Sequence, residues 1–434
     1  MPRHLTYAPL AVYINSKAVG RLRRAPSGAV DFQYRDEWLN WEHAFPISLS
    51  LPLRADRYIG ASVLAVLENL LPDNEAILRR VSERVHAQGT DAYSLLTAIG
   101  RDCVGALQFL PEGSDPGPAG GIDAHPLSDE DIADLLRNLT RIPLGLTSDD
   151  EFRISIAGAQ EKTALLHWNG KWCRPQGATA TSHIFKRPIG RVSDSIDLSE
   201  SVENEYLCLL LTEAFSLPTA KARIGLFDEQ KALIIERFDR LWTKDGRLLR
   251  VPQEDCCQAL SIPPSKKYEA DKGPGIPAIL QLLIGSDEPM LDQQRFLRAN
   301  IVFWLLGAID GHAKNFSLRI SEGGRYRLTP LYDVVSAQFA VDSGRVRQNG
   351  FKLAMAVGKN RHYVVDKIAP RHFLQTATAA GIGESVVQSI FDGLQDGMKA
   401  VDKVMNELPK GFPEHVRDPI YRGIQKRMRL FELV

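Results

Sequence analysis

The length and charge of this 434-residue chain set the first limits on what it is. The chain is too long for one ordinary hydrophobic core, so two or three domains are expected. Its apolar fraction of 44% and charged fraction of 24% are ordinary for a globular protein, and its formal net charge of zero excludes a global electrostatic attraction to nucleic acid or to a membrane surface.

The cysteines and the apolar runs indicate the cellular compartment in which the protein is expected. The 5 cysteines form no CxxC pair and are odd in number, so neither a disulfide framework nor a structural zinc site is expected. The N-terminal stretch "MPRHLTYAPLAVYINSK" lacks a signal-peptide pattern, and the longest apolar run, "IVFWLLGAI", is too short to span a membrane. The sequence therefore predicts a soluble, cytoplasmic protein with no membrane association.

The first part of the chain predicts a small mixed subdomain. The alternating segments "LAVYI" and "VDFQY" are typical of antiparallel strands, and "SVLAVLENLLPD", "AILRRVSERVHA" and "AYSLLTAIG" predict short helices. "GALQFLP" predicts a further strand. Residues 112–123 are rich in Gly and Pro and predict a linker, so residues 1–111 are expected to form an N-terminal α/β subdomain.

A second mixed segment is expected over residues 124–238. Ser128, followed by Asp131, predicts a capping box at the start of a helix. Asn169 and Gly170 lie between two apolar segments and favour a type I′ hairpin. "HIFKR", "ARIGLF" and "KALIIERF" predict strands, and "SVENEYLCLLLTEAF" predicts an amphipathic helix.

The remainder of the chain, residues 239–434, is dominated by long helical patterns. They are most regular over 292–309, 384–406 and 415–433. No internal repeat or coiled-coil pattern is visible. A mixed α/β half is therefore expected to precede a mostly helical half.

The stretch "AIDGHAKNFSLRI", residues 308–320, concentrates polar side chains after an apolar run. His312 is its single histidine, and no HxH or HExxH spacing occurs in the chain, so a transition-metal site is disfavoured. Asp310 and Asn315 have the D-x4-N spacing of a kinase catalytic loop, and Asp333 follows as a possible second metal ligand. On this stretch alone, a catalytic loop and a polar turn after a helix are equally good interpretations.

Residues upstream shift the balance towards phosphoryl transfer. Lys186 ends the predicted strand "SHIFK", and the helix that follows offers Glu203 or Glu205 to orient it. Taken singly, Lys186 is best interpreted as an ordinary edge-strand lysine. The complete order of loop, lysine strand, acidic helix and Asp/Asn loop is much less expected by chance than any one of these features. The loop "AGAQEKT" has a single glycine and so does not match the P-loop pattern GxxxxGK[ST], which disfavours a P-loop ATPase.

Several of these segments together resemble a known family, the HipA toxin kinases of bacterial toxin–antitoxin pairs. They are "FRISIAGAQEKTALL", "SHIFKRPIG", "VENEY", "ERFDR", "PQEDCCQ", "DGHAKNFSL" and "LTPLYDVVSA". "ISLSLPL" and "LENLLPDN" near the N-terminus and "IAPRHFLQTA" near the C-terminus extend the resemblance almost end to end. It implies an α+β, two-lobed, protein-kinase-like fold with an extra N-terminal α/β subdomain and an all-helical C-lobe.

The resemblance also implies roles for individual residues. Asp310 is the implied catalytic aspartate, Asn315 and Asp333 the Mg²⁺ ligands, and Glu205 or Glu203 the residue that orients the phosphate-binding lysine. Ser155 is the implied site of an autophosphorylation that switches the enzyme off. The implied ATP contacts are Ala157, Gly158, Ala159, Gln160, Glu161, Lys162, Lys186, Glu236, Arg237, Phe238, His312, Ala313, Lys314, Asn315, Tyr332, Asp333, Val334 and Val335.

The partners implied by the resemblance are a helix-turn-helix antitoxin dimer and glutamyl-tRNA synthetase as the phosphorylated target. Operator DNA would be contacted mainly through the antitoxin. The C-terminal stretch "YRGIQKRMRL" predicts a basic helical face, for which simple solvation is the preferred interpretation. The alternatives are a related kinase with a different protein or small-molecule substrate, and a non-catalytic co-repressor.

Overall fold

The computed structural model describes residues 7–146, 154–158, 160–193 and 196–433. The chain forms two compact units, each assembled from segments that are separate in the sequence. The first contains Met1–Arg187, Gly225–Ser265 and Leu318–Arg325, and the second contains Pro188–Ile224, Lys266–Ser317 and Tyr326–Val434. The predicted segments 1–111, 112–123, 124–238 and 239–434 divide the chain in a different way, and that division stays a prediction.

The N-terminal part of the first unit is an antiparallel sheet with short helices. Its strands are β1 (Leu10–Ile14), β2 (Lys17–Arg24), β3 (Val30–Tyr34), β4 (Tyr58–Ile59) and β5 (Gln108–Pro111), in the order β4-β3-β2-β1-β5. The helices are α1 (Asp36–Leu39), α2 (Ala61–Glu68), α3 (Glu75–Arg84) and α4 (Ala92–Ile99). The alternation in "VDFQY" places Val30, Phe32 and Tyr34 in the core, as the sequence pattern predicts.

A six-stranded sheet follows in the chain. Its strands are β6 (Ala124–Pro126), β7 (Lys162–Trp168), β8 (Lys171–Pro175), β9 (His183–Lys186), β12 (Ala222–Phe227) and β13 (Gln230–Glu236), in the order β12-β13-β9-β7-β8-β6. Helix α5 (Asp129–Asn138) contributes Ile132 and Leu136 to the core that Phe185 and Ile234 line. Between β9 and β12, the chain forms the hairpin of β10 (Gly190–Ser193) and β11 (Ile196–Leu198) and then helix α6 (Ser201–Ala214).

Two local predictions in this region are confirmed. The Ser128 hydroxyl accepts from the Asp131 N–H at 3.1 Å, while the Asp131 carboxylate accepts from the Ser128 N–H at 2.8 Å, which is the predicted capping box. Asn169 and Gly170 join β7 to β8 with φ angles of 50° and 75°. Positive φ at both central residues defines the type I′ turn that the sequence favours.

The last elements of the first unit's central segment are short. They are β14 (Arg240–Trp242), β15 (Leu248–Arg250), β16 (Gln253–Asp255) and helix α7 (Cys256–Ala259). Asp255 caps α7 by accepting from the Gln258 N–H at 2.8 Å, and the Gln258 side chain accepts from the Asp255 N–H at 3.0 Å. "PQEDCCQ" is therefore a strand that passes directly into a capped helix.

The second unit is mostly helical. Besides α6, its helices are α8 (Ile276–Leu283), α9 (Pro289–Leu306), α10 (Gln338–Asp342), α11 (Pro370–Ala379), α12 (Glu384–Glu407) and α13 (Glu414–Met428). The predicted long helices over 292–309, 384–406 and 415–433 correspond to α9, α12 and α13 and are confirmed. Every residue of α9 from Ala299 to Leu306 is buried, and Phe296 and Trp304 are among the core side chains of this helix.

The expectation of an all-helical C-lobe is corrected in one respect. Besides β14, β15 and β16, the region beyond Asp239 contains β17 (Ser317–Ile320), β18 (Tyr326–Leu328), β19 (Lys352–Val357) and β20 (His362–Val364), and β19 pairs with β20 in an antiparallel hairpin. The apolar run "KLAMAV" is short and lacks a clear period, so periodicity does not distinguish a buried strand from a buried helix there.

Residues 112–123 form no helix or strand. Among the described residues, no helix combines the length and the apolar character that a membrane span requires. All 5 cysteines, which lie within the described ranges, are buried thiols without a disulfide partner.

Candidate active site

The loop that precedes β7 folds back on its own lysine. Lys162 Nζ donates to the Ala157 carbonyl oxygen at 2.6 Å, and Gly158 between them has a φ angle of 107°. L side chains rarely adopt this left-handed backbone conformation, so position 158 favours glycine. Ala159 of the predicted ATP loop lies outside the described residues.

Charged side chains tie this loop to its surroundings in the first unit. Both terminal nitrogens of Arg80, on α3, donate to Glu161 Oε1 at 3.2 Å, and Arg187 Nη1 lies 4.0 Å from the other Glu161 oxygen. The Gln160 amide donates to the Arg187 carbonyl oxygen at 2.8 Å. The loop is therefore held from two sides by arginines that the sequence interpretation did not single out.

Two buried lysines face each other across neighbouring strands beside this loop. Lys162 on β7 and Lys186 on β9 are direct partners in the antiparallel register, and they are 6% and 5% exposed. Directly opposite residues point to the same face of a sheet, where like charges repel. An anion near both ammonium groups relieves that repulsion, so this pair suits a phosphate group.

Ser155 precedes the loop and is completely buried. Its hydroxyl donates to the Leu70 carbonyl oxygen at 2.7 Å, and its N–H donates to the Asp102 carbonyl oxygen at 3.0 Å. In this conformation, the hydroxyl that the resemblance implies as a phosphate acceptor is engaged in the core. Its phosphorylation requires the segment to leave this position.

Residues 236–238 are the predicted hinge. The arginine side chain of this segment is buried in the protein interior. Glu236 ends β13 opposite His183 and is exposed, whereas the side chain of Arg237 is buried and donates to Asp239 and to Thr181. Any contact of Arg237 with a nucleotide would therefore be made by its backbone.

Arg237 is part of a buried ionic cluster in the first unit. We call the five residues Asp102, Arg237, Asp239, Arg240 and Arg250 the Asp102 cluster; their closest charge separations lie between 2.7 and 3.3 Å. Burial alone raises the pKa of Asp102, but Arg240, Arg250 and Arg237 outweigh it and hold that pKa well below its usual range. The sequence interpretation missed this cluster, because its members lie in separate parts of the chain.

The candidate catalytic loop belongs to the second unit and follows α9. The Asn315 amide donates to the Asp310 carbonyl oxygen at 2.7 Å, and the His312 N–H donates to the same oxygen at 2.8 Å. Asn315 and His312 are buried, whereas the Asp310 side chain is 52% exposed. The D-x4-N spacing thus forms a closed loop that presents one carboxylate outward.

A tyrosine that the sequence interpretation overlooked contacts this carboxylate. The Tyr268 hydroxyl donates to Asp310 Oδ1 at 2.5 Å. Its ring packs edge-on against His312, with 4.8 Å between the ring centroids. Nothing in the spacing of "KKYEADKGPG" indicates this contact, since 42 residues separate the two partners.

The segment around Asp333 is fastened to the same loop. The Tyr332 hydroxyl lies 2.5 Å from Ser317 Oγ and donates to the Lys314 carbonyl oxygen at 3.0 Å. Asp333 has a φ angle of 58°, a left-handed conformation that is strained for a residue with a side chain. Strained residues of this kind concentrate at functional sites.

Helix α6 carries both candidate lysine-orienting acids, Glu203 and Glu205, and both are buried. Between them, the Asn204 amide donates to the Ser336 carbonyl oxygen at 2.8 Å and accepts from the Ser336 N–H at 3.0 Å. This reciprocal pair fixes α6 to the chain that follows Asp333. The choice between Glu203 and Glu205 stays a prediction.

The donor set suits a hard divalent cation. Asn315 and Asp333 supply carboxamide and carboxylate oxygens, and the bond from Asn315 Nδ2 to Asp310 turns its Oδ1 away from that carbonyl. Mg²⁺ prefers one or two protein oxygens completed by phosphate oxygens and water. Within the described ranges, no cluster of three or more His, Cys, Asp or Glu side chains is arranged to hold a metal.

Comparison with known proteins decides the family. The C-terminal domain model of HipA-like proteins matches residues 154–401, and the HipA N-terminal domain model matches residues 10–110. The chain belongs to the HipA family. It is 31% identical to the putative kinase Y4mE of Sinorhizobium fredii over 93% of both chains. By this membership it is a kinase.

A further relative supports the HipA assignment, and a solved structure shares the fold. The chain is 28% identical to the serine/threonine-protein kinase toxin HipA of Shewanella oneidensis over 80% of this chain and 78% of that one. Its fold matches HipA in the complex of HipA, HipB and operator DNA from Shewanella oneidensis MR-1, with a TM-score of 0.81, 23% identity and coverage of 98% and 99%. This agrees with the HipA-type, protein-kinase-like fold that the sequence resemblance implied.

The basic C-terminal face is smaller than the sequence suggested. Arg427 is buried and donates to the Leu305 carbonyl oxygen. Lys426 pairs with Asp366 at 3.0 Å and Arg422 with Asp342 at 3.6 Å. Much of this charge is used within the second unit, which favours the interpretation of α13 as a structural helix.

Proposed function

We propose that this protein is a serine/threonine-protein kinase toxin that uses Mg-ATP to phosphorylate a seryl hydroxyl of a translation component, glutamyl-tRNA synthetase being the target the family resemblance favours. The observation that carries the proposal is the closed Asp310–Asn315 loop, which presents a half-exposed carboxylate beside a buried carboxamide. This is the arrangement that kinases use for proton acceptance and metal binding.

In the proposed reaction, the seryl oxygen forms a bond to the γ-phosphorus as the bond from that phosphorus to the β–γ bridging oxygen breaks, and ADP leaves. Asp310 orients the hydroxyl and accepts its proton. The facing Lys162 and Lys186 hold phosphate oxygens. Asn315 and Asp333 would hold Mg²⁺, which neutralises charge on the phosphates. Most of the rate enhancement comes from positioning and charge stabilisation.

We further propose that Ser155 limits the enzyme by autophosphorylation. A phosphoserine adds about −1.5 to −2 charges. The Ser155 site is fully buried and its hydroxyl bonds a backbone carbonyl, so a phosphoserine does not fit the present packing. Modification would therefore prevent the loop from returning to its position beside Lys162 and Lys186.

The proposed partners are a helix-turn-helix antitoxin dimer and, mainly through it, operator DNA, with which the protein acts as a co-repressor in the cytoplasm. The support is the fold shared with HipA in its complex with HipB and operator DNA. The buried, unbridged cysteines suit a reducing compartment.

The function is tested by incubating the purified protein with Mg²⁺, radiolabelled ATP and purified glutamyl-tRNA synthetase. We expect label on the synthetase with the wild type and a loss of at least about 100-fold with Asp310→Asn, since a positioned general base contributes about 10² to 10⁴ in rate. ATP affinity, measured by calorimetry, should persist in the variant.

Asp287→Asn, a change elsewhere in the second unit, provides the control and should label normally. Normal labelling by Asp310→Asn would refute the assigned role of Asp310. Label on the protein's own chain but not on the synthetase would retain the kinase and reject this target. ATP binding without any label would favour a non-catalytic co-repressor.

A further inference from the structure

The Tyr268 hydroxyl contacts the carboxylate that the proposed reaction requires. It donates to Asp310 Oδ1 at 2.5 Å, and His312 Nε2 lies 3.9 Å from the same oxygen. The Tyr268 ring is fixed against His312 in a T-shaped contact. One carboxylate oxygen therefore faces Tyr268 and His312, which leaves the other oxygen, Oδ2, for a different partner.

The segment that carries Tyr268 is anchored independently of Asp310. The adjacent Glu269 carboxylate accepts from the Ala356 N–H at 2.6 Å and pairs with Arg361 at 3.0 Å. Within the segment, the Gly273 N–H donates to the Tyr268 carbonyl oxygen at 2.9 Å. These contacts fix the backbone of Tyr268 relative to β19, so its position is also held by contacts outside the catalytic loop.

The Asp310 carboxylate needs an orienting contact. The backbone of its loop is closed by the His312 N–H and the Asn315 amide, but both bonds go to the Asp310 carbonyl and neither holds the side chain. The side chain is 52% exposed, and an exposed carboxylate samples several rotamers. The bond from Tyr268 selects one rotamer and directs Oδ2 in a defined direction.

We propose that Tyr268 is a positioning residue for phosphoryl transfer: its hydroxyl fixes the Asp310 carboxylate so that Oδ2 meets the seryl hydroxyl of the substrate. This inference rests on the proposed function, since it assigns Tyr268 to the same reaction. Tyr268 does not contact the transferred group. It acts through Asp310, so loss of its hydroxyl should lower the turnover rate and leave ATP binding unchanged.

The test compares Tyr268→Phe and Tyr268→Ala with the wild type in incorporation of radiolabelled phosphate from Mg-ATP into the protein's own chain. Tyr268→Phe keeps the ring against His312 and removes only the hydroxyl. We expect the maximal rate to fall about tenfold, in line with the loss of one hydrogen bond to a charged group. The KM for ATP and the melting temperature should stay at wild-type values.

Tyr421→Phe is the matched control. The Tyr421 hydroxyl donates to Asp402 at 2.7 Å on the surface of the same unit, so this change removes the same type of bond away from the catalytic loop. Its labelling rate should equal that of the wild type. Tyr268→Ala should label no faster than Tyr268→Phe.

The order of the three labelling rates shows whether the hydroxyl or the ring of Tyr268 is responsible for the effect. Wild-type labelling above both Tyr268 variants supports the inference. Equal rates for the wild type and Tyr268→Phe, with only Tyr268→Ala impaired, would assign Tyr268 a packing role and overturn it. Faster labelling by Tyr268→Phe would mean that the hydroxyl blocks Asp310, which also overturns it. Absence of label with the wild type on both its own chain and glutamyl-tRNA synthetase would instead refute the proposed function, and the inference with it.

Discussion

At the scale of single residues, the first unit contains a carboxyl group that resists ionisation. Burial raises the pKa of Glu254 to about 8, although the N–H of Leu49, which donates to its Oε1 at 2.8 Å, lowers it. Its Oε2 is buried and has no hydrogen-bond partner among the described residues. A neutral, protonated Glu254 is the form that this environment favours.

This pKa predicts a pH dependence of stability. Between pH 4.5 and about 8, folded Glu254 keeps a proton that the unfolded chain loses. The folded state therefore binds more protons, and the free energy of unfolding falls as the pH rises, by up to about 1.4 kcal/mol per pH unit. Glu254→Gln should remove this slope in urea denaturation curves measured from pH 5 to pH 8.

The exposed Glu229, changed to Gln, is the control and should leave the slope as in the wild type. A wild-type slope that survives in Glu254→Gln would show that another group titrates in this range. The sequence shows only that Glu254 lies in the segment "PQEDCCQ". Its burial depends on residues far along the chain, such as Leu49.

At the scale of elements, helix α3 and the loop before β7 are coupled by Arg80 and Glu161. Helix propensity and periodicity predict α3, but the side chain that Arg80 meets lies 81 residues further on. We expect Arg80→Ala to loosen the loop and to raise the KM for ATP about threefold to tenfold, because the loop is proposed to cover the phosphates. Steady-state labelling over a range of ATP concentrations measures this.

Arg79→Ala, one position earlier on the same helix and exposed, is the matched control and should leave the KM for ATP unchanged. Equal KM values for the wild type and Arg80→Ala would show that the ion pair does not restrain the loop. The two Arg→Ala substitutions change the helix propensity of α3 by similar amounts, so a general effect on this helix would appear in both variants.

Elements with a strong local signal are the ones the sequence predicts well. The Ser128 capping box and the turn at Asn169 and Gly170 depend on a few adjacent residues, and both are confirmed. The hairpin of β19 and β20 was missed because its stability comes from pairing and burial, which a short apolar run does not reveal.

At the scale of the molecule, the Asp102 cluster joins the two family domains within the first unit. Asp102 belongs to the region matched by the HipA N-terminal domain, and Arg237, Arg240 and Arg250 belong to the region matched by the C-terminal domain. The pairing is buried, so removing a partner leaves uncompensated charge.

We therefore expect Asp102→Asn to lower the free energy of unfolding by about 3–5 kcal/mol. The pairing holds the pKa of Asp102 below its usual range, so its stabilisation is present above the normal aspartate pKa and is lost as the pH falls towards the lowered value. Urea denaturation at pH 7 measures the loss. Asp245→Asn, which breaks the exposed pair with Arg247, should cause no measurable change.

A similar small effect for both variants would show that the Asp102 cluster does not stabilise the folded state. Because its members come from distant parts of the chain, the charges of "ERFDR" could not by themselves indicate a buried cluster. The family resemblance assigned Arg237 to the ATP hinge. The structure directs its side chain towards Asp102 and Asp239.

The sequence by itself determined the family, the sequential order of the motifs and the D-x4-N spacing, because these depend on residue identity and on short spacings. Tertiary structure alone decided that Lys162 faces Lys186, that Tyr268 bonds Asp310, and that Asp102 pairs with three arginines. Each of these contacts joins residues that only strand register or packing brings together. A side chain's partner is fixed by the burial of the whole core, and no local pattern encodes that.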